Sequence, residues 1–276
     1  MNPLTLGYSP CPNDTFIFYA LANNRIECPI ALDVRLADVE MLNRQVGQGG
    51  LDISKISASA VLGVLDKYWL LRSGGAMGRG CGPLVVAGRP VGLNELRDAK
   101  IATPGDMTTA SLLLRLEGTH RGTRVPMQFD RIMPAVAAGE VDAGVIIHEG
   151  RWTYEKYGLH VVLDLGRWWE AKKGLPLPLG VIAIRRDLGG MVASLVEEKI
   201  RESLLYAMRR PEEPGPYIRQ HAQEMAPEVI RLHIETFVNE FSIEAGGEGE
   251  KALRSLLEAA CVLEGRPFPE QTLYRS

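Results

Sequence analysis

The chain has 276 residues, of which 46% are hydrophobic and 24% are charged, and its formal net charge at pH 7 is −3. The apolar content is enough for a core and argues against intrinsic disorder, and the length predicts two domains or one large one. The slightly acidic charge argues against a dedicated nucleic-acid binder, which would carry a basic surface.

The amino-terminal segment and the cysteines bear on location and on metal content. Residues 1–14 lack the cationic start and the apolar stretch of a secretory signal, and no run approaches the ~18 apolar residues of a membrane helix. We therefore expect a cytoplasmic protein without a membrane partner. The four cysteines form no Cys-x-x-Cys pair and the five histidines form no His-Glu-x-x-His, so nothing predicts a metal site.

Short β-rich runs alternate with helical patterns as far as Asp187, and the chain beyond it is almost wholly helical. This alternation is typical of an α/β fold. Strands are predicted at residues 4–8, 32–36, 52–56, 83–87, 99–102, 143–147, 161–163 and 181–184. Helices are predicted to begin at Asn13 or Asp14, at Asp38, near Ser57 (to residue 65), near Thr108 and at Asp130.

The glycine-rich segment 72–82 is followed by Pro83 and a predicted strand. A dinucleotide-binding loop would be followed by a helix, and a phosphate-binding loop would end in Gly-Lys-Ser/Thr. We expect the glycines to form a turn near a cleft instead.

The predicted elements divide the chain into two lobes. Residues 90–180 have their own series of strands and helices, and residues 1–89 with 181–276 form the other lobe. The two crossings contain Gly or Pro, which suits a hinge. Two α/β lobes joined by two strands place a ligand cleft between them.

His148 is the strongest candidate for a catalytic residue. It follows the apolar strand 143–147, and ligands of open α/β sheets bind just outside the carboxyl ends of strands. An imidazole titrates near neutral pH, so His148 can accept a proton there and return it. The structural alternative is a histidine that caps the next helix or bonds to a neighbour. Glu149 could orient the ring.

Two helix starts carry hydroxyl groups, at Ser57 and at Thr108-Thr109. The unpaired N–H groups and the dipole of a helix start attract anions, although a plain N-cap is the alternative for each. Lys55 either faces a carboxylate or covers the surface. Cys11 lies between two prolines, and no basic neighbour marks it as a nucleophile. Together with His148, the two helix starts predict a site for a small carboxylate.

Several segments together resemble one family. They are SPCPNDTF at residues 9–16, Lys55-Ile56-Ser57, residues 72–75 with Gly82-Pro83-Leu84-Val85-Val86, Pro104-Gly105 with Thr108-Thr109-Ala110, IIHE at residues 146–149, and LPLPLG at residues 175–180. With these motifs the sequence resembles the 1,4-dihydroxy-6-naphthoate synthases of the futalosine route to menaquinone. The similarity runs in order along the chain from Leu6 to about Ser242.

The resemblance implies a fold like that of the type 2 periplasmic binding proteins, with two α/β lobes around a cleft. It also implies a carbon–carbon lyase that converts cyclic de-hypoxanthine futalosine to 1,4-dihydroxy-6-naphthoate without a metal or an organic cofactor. In the family, the histidine that matches His148 is the proton acceptor. The substrate contacts match Lys55, Ile56, Ser57, Thr109 and Ala110, and we add the neighbouring Thr108.

Two other functions stay open. A chorismate dehydratase of the same pathway shares the fold, although the IIHE segment favours the synthase. A non-catalytic binding protein for a small carboxylate also shares it, although such proteins usually work outside the cytoplasm. Ala58 departs from the family pattern, because many relatives carry an aromatic residue there. The resemblance therefore does not predict which side chain forms the pocket wall beside Ser57. The sequence predicts no oligomeric state.

Overall fold

Ten strands form two five-stranded mixed sheets in the computed structural model, which describes residues 3–222 and 226–275. The strands are β1 (Leu4–Tyr8), β2 (Leu32–Leu36), β3 (Ile53–Ser57), β4 (Tyr68–Gly78), β5 (Leu84–Ala87), β6 (Ile101–Thr103), β7 (Arg124–Pro126), β8 (Ala143–Ile146), β9 (His160–Asp164) and β10 (Leu177–Arg185). The first sheet has the order β2-β1-β3-β10-β4 and the second the order β7-β6-β8-β5-β9. The expected α/β class is confirmed.

In each sheet four strands run in the same direction and one strand runs antiparallel to them. β1 is parallel to β2 and β3, while β10 runs antiparallel between β3 and β4. In the second sheet β6 is parallel to β7 and β8, and β5 runs antiparallel between β8 and β9. The carboxyl ends of β3 and β8 therefore lead into the loops where a ligand site is expected.

The chain leaves the first sheet after Gly78 and returns to it at Leu177. Residues 84–87, which were predicted in the first lobe, thus pair in the second sheet, and residues 177–180, which were predicted in the second lobe, pair in the first sheet. The limits of the lobes as units, 1–89 with 181–276 and 90–180, stay a prediction.

Helices surround both sheets and make up most of the chain after β10. They are α1 (Pro12–Ala22), α2 (Val39–Gly47), α3 (Thr109–Glu117), α4 (Phe129–Ala137), α5 (Gly150–Thr153), α6 (Leu165–Lys173), α7 (Gly190–Arg209), α8 (Gly215–His221), α9 (Pro227–Phe237), α10 (Glu240–Ile243) and α11 (Gly246–Glu264). Among the described residues, none of these helices has the length and apolar character to cross a membrane.

Asp38 and Thr108 cap α2 and α3, as predicted, and accept hydrogen bonds from the backbone N–H groups of Glu40 and Ser111. Three other predicted starts are wrong. Cys11 precedes α1, where Pro12 takes the first position because it needs no N–H partner there. Gln128 precedes α4, which puts Asp130 in the first turn. Ser57 leads into a short 3₁₀ helix, Ala58–Gly63, instead of an α-helix to residue 65.

The glycine-rich segment that was predicted to be a turn is largely strand β4. Its pairing with β10 shifts register on either side of Gly180, which lets the irregular strand stay in the sheet. Gly74 has a φ of +84°, and a Cβ there would lie 2.9 Å from the side chains of Ile182 and Ile200. The prediction was wrong because glycines also occur in bent strands, where they allow a helix to pack closely against the backbone.

Every residue of β3 is buried, because this strand lies between β1 and β10 in a sheet that is covered on both faces. Ile53 packs in a cluster with residues of α1 and α7, and Ile56 packs in another with residues of α11 and the second sheet. A charged side chain on such a strand needs partners inside the protein, since burying an unpaired charge is costly.

Candidate functional site

One cavity lies between the two sheets and takes residues from both. Its volume is about 740 Å³ when the space at its mouth is counted. All seven predicted site residues line it: Lys55, Ile56, Ser57, Thr108, Thr109, Ala110 and His148. Their roles in catalysis and in substrate binding stay predictions, but the cavity brings them together.

His148 follows β8 at the cavity, where the chain turns toward α5. Its φ is +54°, a left-handed conformation that non-glycine residues adopt only at some energetic cost. The ring is half-buried. It meets Phe129 edge-on with centroids 5.1 Å apart, and it stacks on His233 with centroids 5.9 Å apart. Aromatic neighbours therefore hold the ring while it lines the cavity.

Ser57 is held by Asn43, a fully buried residue of α2. The Asn43 side-chain amide donates to Ser57 Oγ at 2.9 Å, and its Oδ1 accepts from the Ser57 backbone N–H at 2.8 Å. Because Ser57 Oγ accepts this hydrogen bond, its own proton can be donated to a ligand in the cavity. Asn43 did not emerge from the sequence because its link to Ser57 depends on how α2 packs against β3.

The hydroxyl groups at the start of α3 already have protein partners. Thr108 Oγ1 donates to the carbonyl of Gly105 at 2.8 Å, in addition to its role as N-cap. Thr109 Oγ1 donates to the carbonyl of Leu179 at 2.9 Å and accepts from the Ser59 N–H at 3.3 Å. Because Ser111 N–H donates to the Thr108 cap, the N–H groups of Thr109 and Ala110 are the donors that a ligand can meet at the start of α3.

Lys55 is buried, so it does not cover the surface. Its Nζ lies 3.0 Å from Asp14 Oδ1 and donates to the carbonyl of Gly74 at 2.7 Å. Asp14 also accepts from Ser9 Oγ at 2.7 Å and from the side-chain amide of Asn13 at 2.8 Å. The cation is therefore balanced by the protein's own carboxylate beside the cavity.

Arg151 lines the cavity and was missed by the sequence analysis. Its guanidinium donates to Asp164 Oδ2 and to the carbonyl of Gly82, both at 2.7 Å. A guanidinium has five N–H donors, so others remain for a ligand carboxylate. The sequence feature that could have indicated Arg151 is its position, three residues after His148 in the turn that follows a strand.

The protonation of Cys11 and the placement of the acidic residues limit the chemistry that the site can perform. Burial raises the pKa of the Cys11 thiol well above its ordinary value, and nearby Glu149 adds to the effect. The thiol is therefore protonated, which opposes a nucleophilic role. Within residues 3–222 and 226–275, no group of three His, Cys, Asp or Glu side chains is placed to hold a metal ion.

Comparison with known proteins identifies the family. Residues 4–261 match a family model described as menaquinone biosynthesis. The chain belongs to this menaquinone biosynthesis family. Two relatives are both named 1,4-dihydroxy-6-naphthoate synthase. The one from Thermus thermophilus is 52% identical over 94% of both chains. The one from Streptomyces coelicolor is 45% identical over 93% of this chain and 92% of its own. The resemblance predicted from the motifs is confirmed.

Solved structures agree on the fold. A crystal structure of a protein from Archaeoglobus fulgidus has a TM-score of 0.90 and 36% identity, and the match covers 95% of this chain and 98% of that one. The alkanesulfonate-binding protein SsuA from Xanthomonas axonopodis pv. citri has a TM-score of 0.70 at 14% identity, with 97% and 95% covered. The expected periplasmic-binding-protein-like fold with two α/β lobes is thus confirmed.

Proposed function

We propose that the protein converts cyclic de-hypoxanthine futalosine to 1,4-dihydroxy-6-naphthoate in menaquinone biosynthesis, as a carbon–carbon lyase with His148 as the general base. The observation that carries the proposal is the convergence of His148, Ser57 and the start of α3 on one cavity. It occurs in a chain about half identical to relatives named for that product.

The reaction needs a proton removed next to a carbonyl group, after which electrons move toward an aromatic product and a ribose-derived fragment leaves. His148 lines the cavity at the tip of β8, where it can accept that proton and later return it. One well-placed base typically contributes ~10²–10⁴-fold in rate. Aromatisation supplies driving force for the rest.

The substrate's benzoate-type carboxylate needs hydrogen-bond donors rather than a free lysine, because Lys55 already balances Asp14. Ser57 Oγ, the first N–H groups of α3 and the Arg151 guanidinium all line the same cavity. Donors of these types suit a carboxylate, and the guanidinium adds a charge-assisted bond. We assign the carboxylate to this group of donors.

Turnover assays with two substrates test the proposal. The purified protein is incubated with cyclic de-hypoxanthine futalosine or with chorismate, and the products are followed by mass spectrometry. We expect 1,4-dihydroxy-6-naphthoate from the first and no enolpyruvyl benzoate from the second. Dehydration of chorismate would support the sister enzyme, and tight binding of a carboxylate without turnover would support a binding protein. Cell fractionation tests the expected cytoplasmic location.

A further inference from the structure

A second histidine, His233, lies behind His148 and has no part in the reaction proposed above. It is fully buried on α9, which packs against α1 and β4. The planes of the His148 and His233 rings differ by 12°, so the two rings are stacked. His233 Nδ1 lies 3.8 Å from Glu149 Oε2. One buried histidine of α9 therefore faces both His148 and the residue that follows it.

The hydrogen bond to Asn13 fixes the proton on one nitrogen of His233. The Asn13 side-chain amide donates to Asp14 Oδ1, so the Asn13 Oδ1 atom faces His233 Nε2, at 2.9 Å. An amide oxygen only accepts, so Nε2 carries a proton. Burial lowers the pKa of His233 well below its ordinary value, and His148 lowers it further. A second proton on Nδ1 therefore needs a partner that stabilises it.

Two hydrogen-bond acceptors then face each other. His233 Nδ1 and Glu149 Oε2 are both buried, and neither has a hydrogen-bond partner in the part of the chain that the structure describes. A bare ring nitrogen opposite an ionised carboxylate is doubly unfavourable, since both atoms have lost water and neither has gained a donor. One proton between them satisfies both atoms once side-chain rotation shortens the 3.8 Å gap to hydrogen-bond length.

We propose that Glu149 and His233 share one proton and together act as a positioning pair for His148. The inference rests on the proposed function only through the role of His148 as the base. With its proton the pair is neutral, so no uncompensated charge lies behind His148. The hydrogen bond also ties the residue after His148 to α9, and this fixes the left-handed turn and the ring stack.

Two of the groups around the pair are already charge-balanced or protonated. Asp14 is balanced by Lys55 at 3.0 Å, and the Cys11 thiol is protonated because burial raises its pKa. The rings of Trp152 and Phe237 cover other sides of His233. Within the part of the chain that the structure describes, Cys11, Asp14, Lys55 and His148 lie on the cavity side of the pair, and Asp130 and Tyr157 line a pocket on the other side of Glu149.

NMR of ¹⁵N-histidine-labelled full-length protein without substrate tests the proton directly. We expect His233 Nε2 to be protonated from about pH 5 to 9, and the Nδ1 resonance to show a shared proton that is lost in Glu149→Ala. Glu155→Ala, at an exposed position on the next segment, is the matched control and should leave His233 unchanged. The same bare Nδ1 resonance in the wild-type protein and in Glu149→Ala would overturn the proposal.

Kinetics test the positioning role. Glu149→Gln keeps a neutral donor toward Nδ1, so we expect an unchanged pH–rate midpoint, whereas Glu149→Ala should lower kcat by about tenfold with little change in KM. If Glu149 were ionised beside His148, Glu149→Gln would lower the midpoint by about one unit, and that result overturns the neutral pair. Unchanged kcat in Glu149→Ala overturns the positioning role. If the wild-type protein forms no 1,4-dihydroxy-6-naphthoate, the proposed function is wrong. The NMR experiment tests the shared proton independently of that result.

Discussion

Lys55 Nζ and Asp14 Oδ1 lie 3.0 Å apart, and both side chains are almost completely buried. The pair joins the centre of the first sheet to α1 at the edge of the cavity. A substrate carboxylate that approaches Lys55 therefore meets a lysine whose charge is already compensated. The main effect of the pair on the site is to fix the position of Asp14, which also accepts hydrogen bonds from the side chains of Ser9 and Asn13.

Removing the cation should destabilise the fold. We expect Lys55→Met to lower the free energy of unfolding by about 3–5 kcal/mol, because Asp14 is left buried without its partner. The double variant Lys55→Met/Asp14→Asn should recover a large part of that loss, since no charge remains. Urea denaturation of the four proteins in the cycle measures the coupling. If the losses of the two single variants simply added up to the loss of the double variant, the pair would carry no coupling energy.

His148 supplies the sharpest test of the mechanism. We expect His148→Asn to lower kcat by about 10²–10⁴-fold, because the variant lacks the base that accepts the substrate proton. Product affinity should change by only a few fold, since Ser57 and Arg151 are intact. Steady-state kinetics and product titration separate the two effects. Near-normal turnover in a folded His148→Asn protein would rule out this residue as the general base.

Ser57 should contribute to binding more than to chemistry. The Ser57→Ala variant loses one hydrogen-bond donor toward the carboxylate, so we expect about two- to tenfold weaker substrate binding, with kcat less affected. Ser194→Ala, on α7 and outside the cavity lining, is the matched control. Isothermal titration with product compares the three proteins. Unchanged affinity in Ser57→Ala would place the carboxylate elsewhere in the cavity.

Local sequence patterns were enough to place His148. An apolar run that ends at a polar residue marks the end of a buried strand, and the ends of strands in an α/β fold lie at the ligand site. The same logic placed Ser57 and the start of α3 at the cavity. These inferences succeed because they need only the period of a strand and the chemistry of a helix start.

Partners that come from distant elements could not be inferred in this way. His233 and Asn13 are hydrogen-bonded although they lie 220 positions apart, and the contact exists only because α9 packs against α1. The pairing of Lys55 with Asp14 likewise depends on the neighbouring positions of β1 and β3. The turn predicted for the glycine-rich segment was wrong for a similar reason, since its pairing with β10 outweighs its weak local preference for a strand.

Gly82 is a position where even a methyl group has no room. A Cβ on Gly82 would overlap the backbone of Gly166, and a Cβ on Gly166 would lie 2.6 Å from the Gly82 Cα. We expect Gly82→Ala to lower the free energy of unfolding by about 3 kcal/mol or more, because two backbone segments must separate. Gly63→Ala is the control, since a Cβ there meets nothing within 4 Å. Thermal and urea unfolding should show a much lower stability for Gly82→Ala than for Gly63→Ala. Equal stability of the two variants would show that the backbone at Gly82 can move to accommodate a methyl group at little cost.

Glu40 links the two sides of the cavity and should make stability depend on pH. Its Oε2 accepts from the Met107 N–H at 3.0 Å, so a carboxylate of α2 holds the loop that precedes α3. Burial raises the pKa of Glu40 above its ordinary value, against the opposing effect of the Met107 hydrogen bond. The folded protein thus binds the proton of this carboxyl more tightly than the unfolded chain does.

The sign of the effect follows from this difference. As pH rises from the ordinary carboxyl range, at about 4.3, through the raised pKa, the folded state must release a proton that the unfolded chain has already lost. Glu40 therefore lowers the stability of the wild-type protein across that window and has a constant effect above it. Glu40→Gln lacks this titration, so its stability relative to the wild type should increase over the same window. Urea denaturation at a series of pH values measures the trend, with Glu258→Gln on the exposed face of α11 as the control. A difference between Glu40→Gln and the wild type that is independent of pH would mean that the Met107 hydrogen bond cancels the effect of burial, and a difference that falls over this window would mean that the hydrogen bond outweighs burial.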